Sequence, residues 1–177
     1  PALHHTCALA IDGSVFCWGQ NAMGTLGNGT TTDSLVPSQT SNLSTATQLT
    51  TEFSKTCALL QTEQLVCWGN LTGTPTTAPT LVAGNVSSVG SFGAVTCYVS
   101  SGLSYCFGFN ANGQLGNATI KDSATPVAVL ETGNRAIGVW AGTASTCVMI
   151  EGGTMQCWGS NTSGQLGLGP GFEGPGA

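Results

Sequence analysis

The sequence predicts an all-β fold built from repeated antiparallel hairpins, and three observations carry that prediction. One motif recurs four times: "TCALAIDGSVFCWG" at 6–19 returns as "TCALLQTEQLVCWG" at 56–69, "TCYVSSGLSYCFG" at 96–108 and "TCVMIEGGTMQCWG" at 146–159. Its first cysteines, Cys7, Cys57, Cys97 and Cys147, are spaced 50, 40 and 50 residues apart, a period that indicates propeller blades or a solenoid. Each motif also holds two β-forming runs around a turn, such as "CALAI" and "SVFCW" around Asp12-Gly13, which is a hairpin signal. The expected architecture is three to four propeller-type blades in a partial or open propeller, spanning 1–168. The Pro/Gly-rich stretch 169–177 is expected to be a linker or tail.

If the two cysteines of each motif face each other, symmetry sets the turn. Cys7 and Cys17 centre a three-residue loop on 11–13, and Cys147 and Cys157 centre one on 151–153. Both loops end in Gly, where a bulged three-residue hairpin needs a left-handed residue. Cys97 and Cys106 are one residue closer, which leaves a two-residue loop, Ser101-Gly102. In the second hairpin, between Cys57 and Cys67, Glu63 falls at the left-handed position, at a cost of about 1 kcal/mol.

Two further elements recur. "QNAMGTLGNG" (20–29), "FNANGQLGNA" (109–118) and "SNTSGQLGLG" (160–169) follow three of the hairpins. A proline then precedes or enters an apolar run, at Pro37, Pro79 and Pro126. Pro37 and Pro126 each lie 20 residues after their second cysteine, Pro79 only 12. The second repeat has therefore lost most of its Gly-rich loop. "TGTPTTAPT" (72–80), which follows that hairpin, resembles an O-glycosylated segment, with a plain polar loop as the alternative.

The eight cysteines form four local pairs: Cys7 with Cys17, Cys57 with Cys67, Cys97 with Cys106, Cys147 with Cys157. Cross-strand partners lie within reach of a disulfide. Structural zinc wants ligands two to four residues apart, often with His, and neither that spacing nor Cys-x-x-Cys occurs here. Buried free thiols are the remaining alternative. Disulfides would place the chain in an oxidising compartment, extracellular or on a cell surface.

Composition narrows the function classes. Hydrophobic residues make up 41% and charged ones 6%, the net charge is −5, and Lys55, Lys121 and Arg135 are the only strong cations. A nucleic-acid partner needs clustered Lys and Arg, so none is expected. No apolar run approaches the ~20 residues of a membrane-spanning helix, and no membrane insertion is expected. The opening "PALHHTC" shows no leader, which suggests a processed or truncated N-terminus. Solubility must rest on the 41 Ser and Thr residues, or on sugar. Asn-x-Ser/Thr occurs six times, at Asn28, Asn42, Asn70, Asn85, Asn117 and Asn161, where chance predicts about two. N-glycosylation is therefore expected at these positions; the alternative is a Ser/Thr-rich chain that generates the motif without using it.

Catalysis needs converging groups, and the acids are spread: Asp12, Asp33, Glu52, Glu63, Asp122, Glu131, Glu151, Glu173. His4 and His5 have no evident partner. "GQLGLG" lacks the Lys and helix of a phosphate loop. No catalytic residue, metal or cofactor is expected, covalent glycans apart.

"HTCALAIDGSVFCWGQNAMGTLGNGTTTDSLVPSQ" and "VMIEGGTMQCWGSNTSGQLGLG" resemble the regulator of chromosome condensation repeat, which runs His-x-x-Ala-Leu, Asp-Gly, Trp-Gly-x-Asn, Gly-Gln-Leu-Gly, then Pro. The likeness covers nearly the whole chain. It implies β-propeller blades of four strands and about 50 residues each, with Trp18, Trp68, Phe107 and Trp158 packing near blade interfaces. The family His stands only at His5, with Lys55, Val95 and Ser145 at the matching places. Four hairpins fall short of the seven-blade ring of the nuclear founding member. The exposed edges of an incomplete ring would need covering by more chain or another subunit. The expected role is a non-catalytic extracellular glycoprotein, a structural subunit of a surface or fibrous assembly. Its partners would be copies of itself or another extracellular protein. The alternative is a secreted binding module for a protein or carbohydrate.

Overall fold

The computed structural model describes residues 4–71, 73–130 and 135–168. Among these the chain forms fourteen β-strands in four antiparallel sheets, and no helix. It divides into two compact units, Pro1–Val86 and Ser87–Ala177.

The first unit holds two sheets. One orders β1 (His5–Leu9), β2 (Val15–Gly19) and β3 (Ser34–Gln39); the other orders β4 (Ala46–Thr51), β5 (Lys55–Leu60), β6 (Leu65–Asn70) and β7 (Pro75–Ala83). The second unit repeats the pattern. One sheet orders β8 (Val86–Phe92), β9 (Val95–Ser100), β10 (Leu103–Gly108) and β11 (Ser123–Ala128); the other orders β12 (Ala136–Ala141), β13 (Ser145–Ile150) and β14 (Thr154–Gly159). These are propeller-type blades of three or four strands.

Each cysteine motif is one hairpin, and its cysteines are direct cross-strand partners: Cys7 opposite Cys17, Cys57 opposite Cys67, Cys97 opposite Cys106, Cys147 opposite Cys157. All four pairs are disulfides with Cα atoms 4.1 Å apart, and no cysteine is free. The turns follow the cysteine spacing. Gly13, Glu63 and Gly153 hold φ of 83°, 58° and 87° at the third loop position, while Ser101 and Gly102 hold 53° and 81° in the two-residue turn. Both central residues left-handed is the signature of the hairpin turn that matches strand twist.

The recurring prolines have one structural reason. On the outer side of three hairpins, the second cysteine and the Gly two residues later pair with residues four apart: Ser38 and Ser34 on β3, Thr80 and Thr76 on β7, Val127 and Ser123 on β11. Each outer strand therefore bulges, and Pro37, Pro79 and Pro126 each stand in that bulge, directly before the cysteine's partner. A bulge on an outermost strand is where a residue without an N–H is tolerated. Of the stretch 72–80, everything from Pro75 on is strand: β7 begins there, five residues after the β6 terminus at Asn70, so the missing Gly-rich loop has become a tight hairpin. The expected tail 169–177 lies outside the described residues.

Each unit has its own core. In the first, Val15, Cys17, Leu26, Ala58 and Trp68 pack together with Leu43, Ala46 and Val66; in the second, Val95, Cys97, Val99, Cys106, Leu115 and Val148 pack with Val139, Ile150 and Trp158. The first five residues of β5, β6 and β9 are all buried, so these strands are covered on both faces, and disulfide sulfurs such as those of Cys17, Cys97 and Cys106 belong to the cores themselves. Leu26 and Leu115, the leucines of the Gly-x-Leu-Gly loops, are fully buried. Burial of each contributes roughly 1.5–3 kcal/mol, which explains why a loop motif carries an invariably placed leucine in both repeats.

Candidate interaction surface

The loops that decorate the blades are held by a side-chain framework. Asn21 donates its backbone N–H to Asp33 Oδ1 (2.8 Å), accepts from Leu26 N at its Oδ1 (2.9 Å), and donates from Nδ2 to the carbonyls of Thr30 (2.9 Å) and Thr32 (3.0 Å). Asn110 does the same with Asp122 (2.8 Å), Leu115 (2.8 Å), Thr119 (2.9 Å) and Lys121 (3.1 Å). Both asparagines are 0% exposed. A fully bonded buried amide of this kind fixes a loop to one conformation, because each unmet bond would cost about 1–3 kcal/mol. Asp33 and Asp122 thus serve as loop anchors. The signal available in the sequence was their identical distance, twelve residues after the asparagine in both repeats.

Each loop is in turn gripped by the following hairpin. Trp68 Nε1 donates to the Thr25 carbonyl (2.8 Å) and Thr56 Oγ1 to the same oxygen (3.3 Å). In the second unit Trp158 Nε1 (2.9 Å) and Thr146 Oγ1 (2.8 Å) converge on the Gln114 carbonyl. Thr56 and Trp68 are cross-strand partners, as are Thr146 and Trp158, so the Thr before the first cysteine and the Trp after the second act as one clamp. The glycine after the loop leucine makes room for it. A Cβ on Gly27 would lie 2.7 Å from Trp68 Nε1, and one on Gly116 would lie 2.6 Å from Trp158 Nε1. Trp68 is fully buried, Trp158 and Phe107 nearly so, and Trp18 half-buried on β2.

His5 extends the clamp of the first unit. Its Nε2 bonds Thr56 Oγ1 at 2.9 Å, while Nδ1 is buried with no partner among the described residues. Since Thr56 Oγ1 donates onward to Thr25, the proton between them belongs to Nε2. Burial pushes the imidazole down to about 4. At the matching place of the second sheet, Lys55 pairs with Glu52 at 3.0 Å, both buried. Among the described residues no three His, Cys, Asp or Glu come together as a metal site would require.

The expected glycan acceptors fall into distinct settings. Asn42 and Asn85 are exposed at φ of 53° and 51°, in the connections that lead into β4 and β8. Asn28 and Asn117 are half-buried at equivalent loop positions, each accepting from the amide and hydroxyl of the Thr two residues on. Asn70 is half-buried and caps its turn by accepting from Gly73 N at 2.8 Å. Asn161 differs: it is 3% exposed and accepts from Leu166 N at 3.0 Å, as Asn21 and Asn110 do from their leucines. It is the loop anchor of its repeat.

The second unit contains an apolar cleft of about 1000 Å³, lined by Gly113, Ile120, Leu130, Met155, Trp158 and Leu168 among others. The corresponding place in the first unit is filled by β7. There a Cβ on Gly24 would lie 2.8 Å from the Thr76 carbonyl oxygen, and Gly29 N donates to Thr77 O at 2.8 Å. The Cβ of Gly113 would meet nothing within 4 Å. Among the described residues β14 pairs only with β13.

These features define a disulfide-stapled propeller-repeat protein whose loops are clamped between hairpins. The family model described as the regulator of chromosome condensation (RCC1) repeat matches residues 12–51 and 101–149, half of the chain, and the chain belongs to that family. It is 31% identical over 182 residues to the ultraviolet-B receptor UVR8 of Arabidopsis thaliana, covering 93% of this chain and 41% of the relative. Its fold is similar to that of human WBSCR16, with a TM-score of 0.81 at 22% identity over 97% of this chain and 48% of that one. It is similar also to Prp20p of Saccharomyces cerevisiae, with a TM-score of 0.74 at 20% identity over 99% of this chain and 48% of that one. The chain thus spans less than half the length of each.

Proposed function

We propose that this chain is part of a non-catalytic extracellular glycoprotein that acts through protein contacts, as a structural subunit of a surface or fibrous assembly. The observation that carries the reading is the set of four hairpin disulfides with no free cysteine, because disulfides persist in oxidising compartments and are rare in the cytosol and nucleus. A protein-binding role agrees with the described binding of Prp20p to Gsp1p and histones; the net charge of −5 disfavours nucleic acid as a partner here. Three of the carboxylates are spent on loops and turns: Asp33 and Asp122 hold Asn21 and Asn110, and Asp12 holds Ser14 N.

A second reading, a binding module for a protein or carbohydrate, is favoured by exposed aromatics of the second unit. Phe92, Phe109 and Trp140 are 59%, 58% and 52% exposed, and Phe109 N donates to Ala94 O beside the turn that follows Phe92. Exposed aromatic groups of this kind anchor partners. Electron microscopy and sedimentation of native material separate the two. Ordered multimers are the expected result; monomers alone at all concentrations would sink the assembly reading.

A further inference from the structure

We infer that Asn42, Asn85 and Asn117 carry N-linked glycans and that Asn161, which has the same acceptor sequence, carries none. This rests on the reading that the chain matures in the secretory pathway. It deepens that reading by naming which amides are modified. In the transfer, Asn Nδ2 forms a bond to the first sugar carbon of a polyprenyl-diphosphate oligosaccharide, the diphosphate leaves, and the amide loses one proton. The finished side chain must therefore present Nδ2 to open solvent and retain at most one N–H for the fold.

Asn42 and Asn85 meet that condition directly. Both are exposed, both sit at left-handed positions where the chain turns, and their sequon serines Ser44 and Ser87 are exposed too. Neither amide is spent on a hydrogen bond within the described residues. Asn117 meets it in a different way. Its Oδ1 takes Asn110 Nδ2 (3.2 Å), Thr119 N (3.2 Å) and Thr119 Oγ1 (2.9 Å), which leaves Nδ2 without a partner and not among the buried unbonded atoms. In the equivalent loop of the first unit Asn28 spends Nδ2 on Ser38 Oγ at 3.1 Å. Ser38 faces Cys17, and the residue facing Cys106 in the same register is Val127, which has no acceptor to offer.

Asn161 fails the condition. It stands where Asn21 and Asn110 stand in their loops, with Oδ1 on the amide of the loop leucine and the side chain buried. In both of those loops Nδ2 points into the loop carbonyls. Asn161 is 3% exposed, so a sugar on its Nδ2 has no open solvent to enter, and only unmodified chains complete the fold.

The test is enzymatic deglycosylation in ¹⁸O-water of the full chain secreted from eukaryotic cells, followed by peptide mass spectrometry. Labelled Asp is expected at 42, 85 and 117, and unlabelled Asn at 161. As an independent readout, Ser44→Ala and Ser87→Ala should each remove one glycan from the intact mass, while Ser163→Ala, which leaves Asn161 untouched, should remove none. Label at 161 in the folded secreted protein, a glycan lost in Ser163→Ala, or unlabelled 42, 85 and 117 would each overturn the assignment. The same digest on native material separates the two claims. No label anywhere, with reduced cysteines, defeats the secretory reading, whereas label at the wrong asparagine defeats only the placement.

Discussion

The indole N–H of Trp68 donates to the backbone carbonyl of Thr25 at 2.8 Å, across 43 positions of sequence. It ties the hairpin of one repeat to the loop of the preceding one, and Trp158 repeats the bond on Gln114 in the second unit. The repeat is thus a clamp as well as a fold unit. Its strength depends on a donor that only Trp, among the aromatics, supplies at that place.

Replacing that donor should weaken the fold without emptying the core. Trp68→Phe keeps most of the apolar bulk but leaves the Thr25 carbonyl with only the longer Thr56 bond. Urea unfolding should show a loss of about 1–3 kcal/mol. Trp68→Ala adds a cavity and should cost about 3–5 kcal/mol. Equal stability of Trp68→Phe and the parent would show that the bond has no net weight.

The asparagine anchor is less forgiving. Asn110→Asp keeps the shape and the acceptor for Leu115 N, but removes the donor that holds the Thr119 and Lys121 carbonyls and sets a carboxylate against them. A buried charge facing acceptors is heavily penalised. The variant should unfold at a lower denaturant concentration by at least 2 kcal/mol, on the order expected for an unmet buried group. Asp122→Asn, which retains an acceptor for Asn110 N, should lose less.

Acid sensitivity should trace to His5. Its imidazole is neutral in the fold and pushed down to about 4 from 6.5, burial being the main cause. Above pH 6.5 it is neutral in both states and stability does not change on its account. As pH falls from 6.5 to 4 the unfolded chain takes up the proton first, so stability declines; below 4 the contribution is flat. The integrated loss is on the order of 2–3 kcal/mol. Thermal melts between pH 7 and 4 should show this decline, and His5→Gln should flatten it. An unchanged slope would place the acid sensitivity elsewhere.

Local features were the ones legible in the sequence. Cysteine spacing determined the turn length, and with it the left-handed residues at Gly13, Glu63, Ser101 and Gly102, because a hairpin closes on its own residues. The four-fold repetition made the blades readable for the same reason. What escaped was whatever needs a second repeat to exist. A Thr precedes every first cysteine as plainly as the cysteine itself recurs, yet the role of Thr56 and Thr146 lies on a carbonyl over 30 residues away in the preceding loop. The stretch 72–80 reads as an O-glycosylated segment or a polar loop, and from Pro75 on it is strand, because β6 offers a partner and the bulge accepts Pro79. Asn161 reads as a sequon because the motif is three residues long; the Leu166 amide that its side chain accepts from lies outside that motif.

The extracellular role rests on the state of the cysteines in the native protein. Alkylation of unreduced, denatured material from its source, followed by reduction, a second label and mass spectrometry, reads all eight at once. The prediction is no label at any cysteine before reduction and label at all eight after it, with Cys7–Cys17, Cys57–Cys67, Cys97–Cys106 and Cys147–Cys157 as the linked peptides. Eight thiols already reactive before reduction would contradict it, and with it the extracellular role.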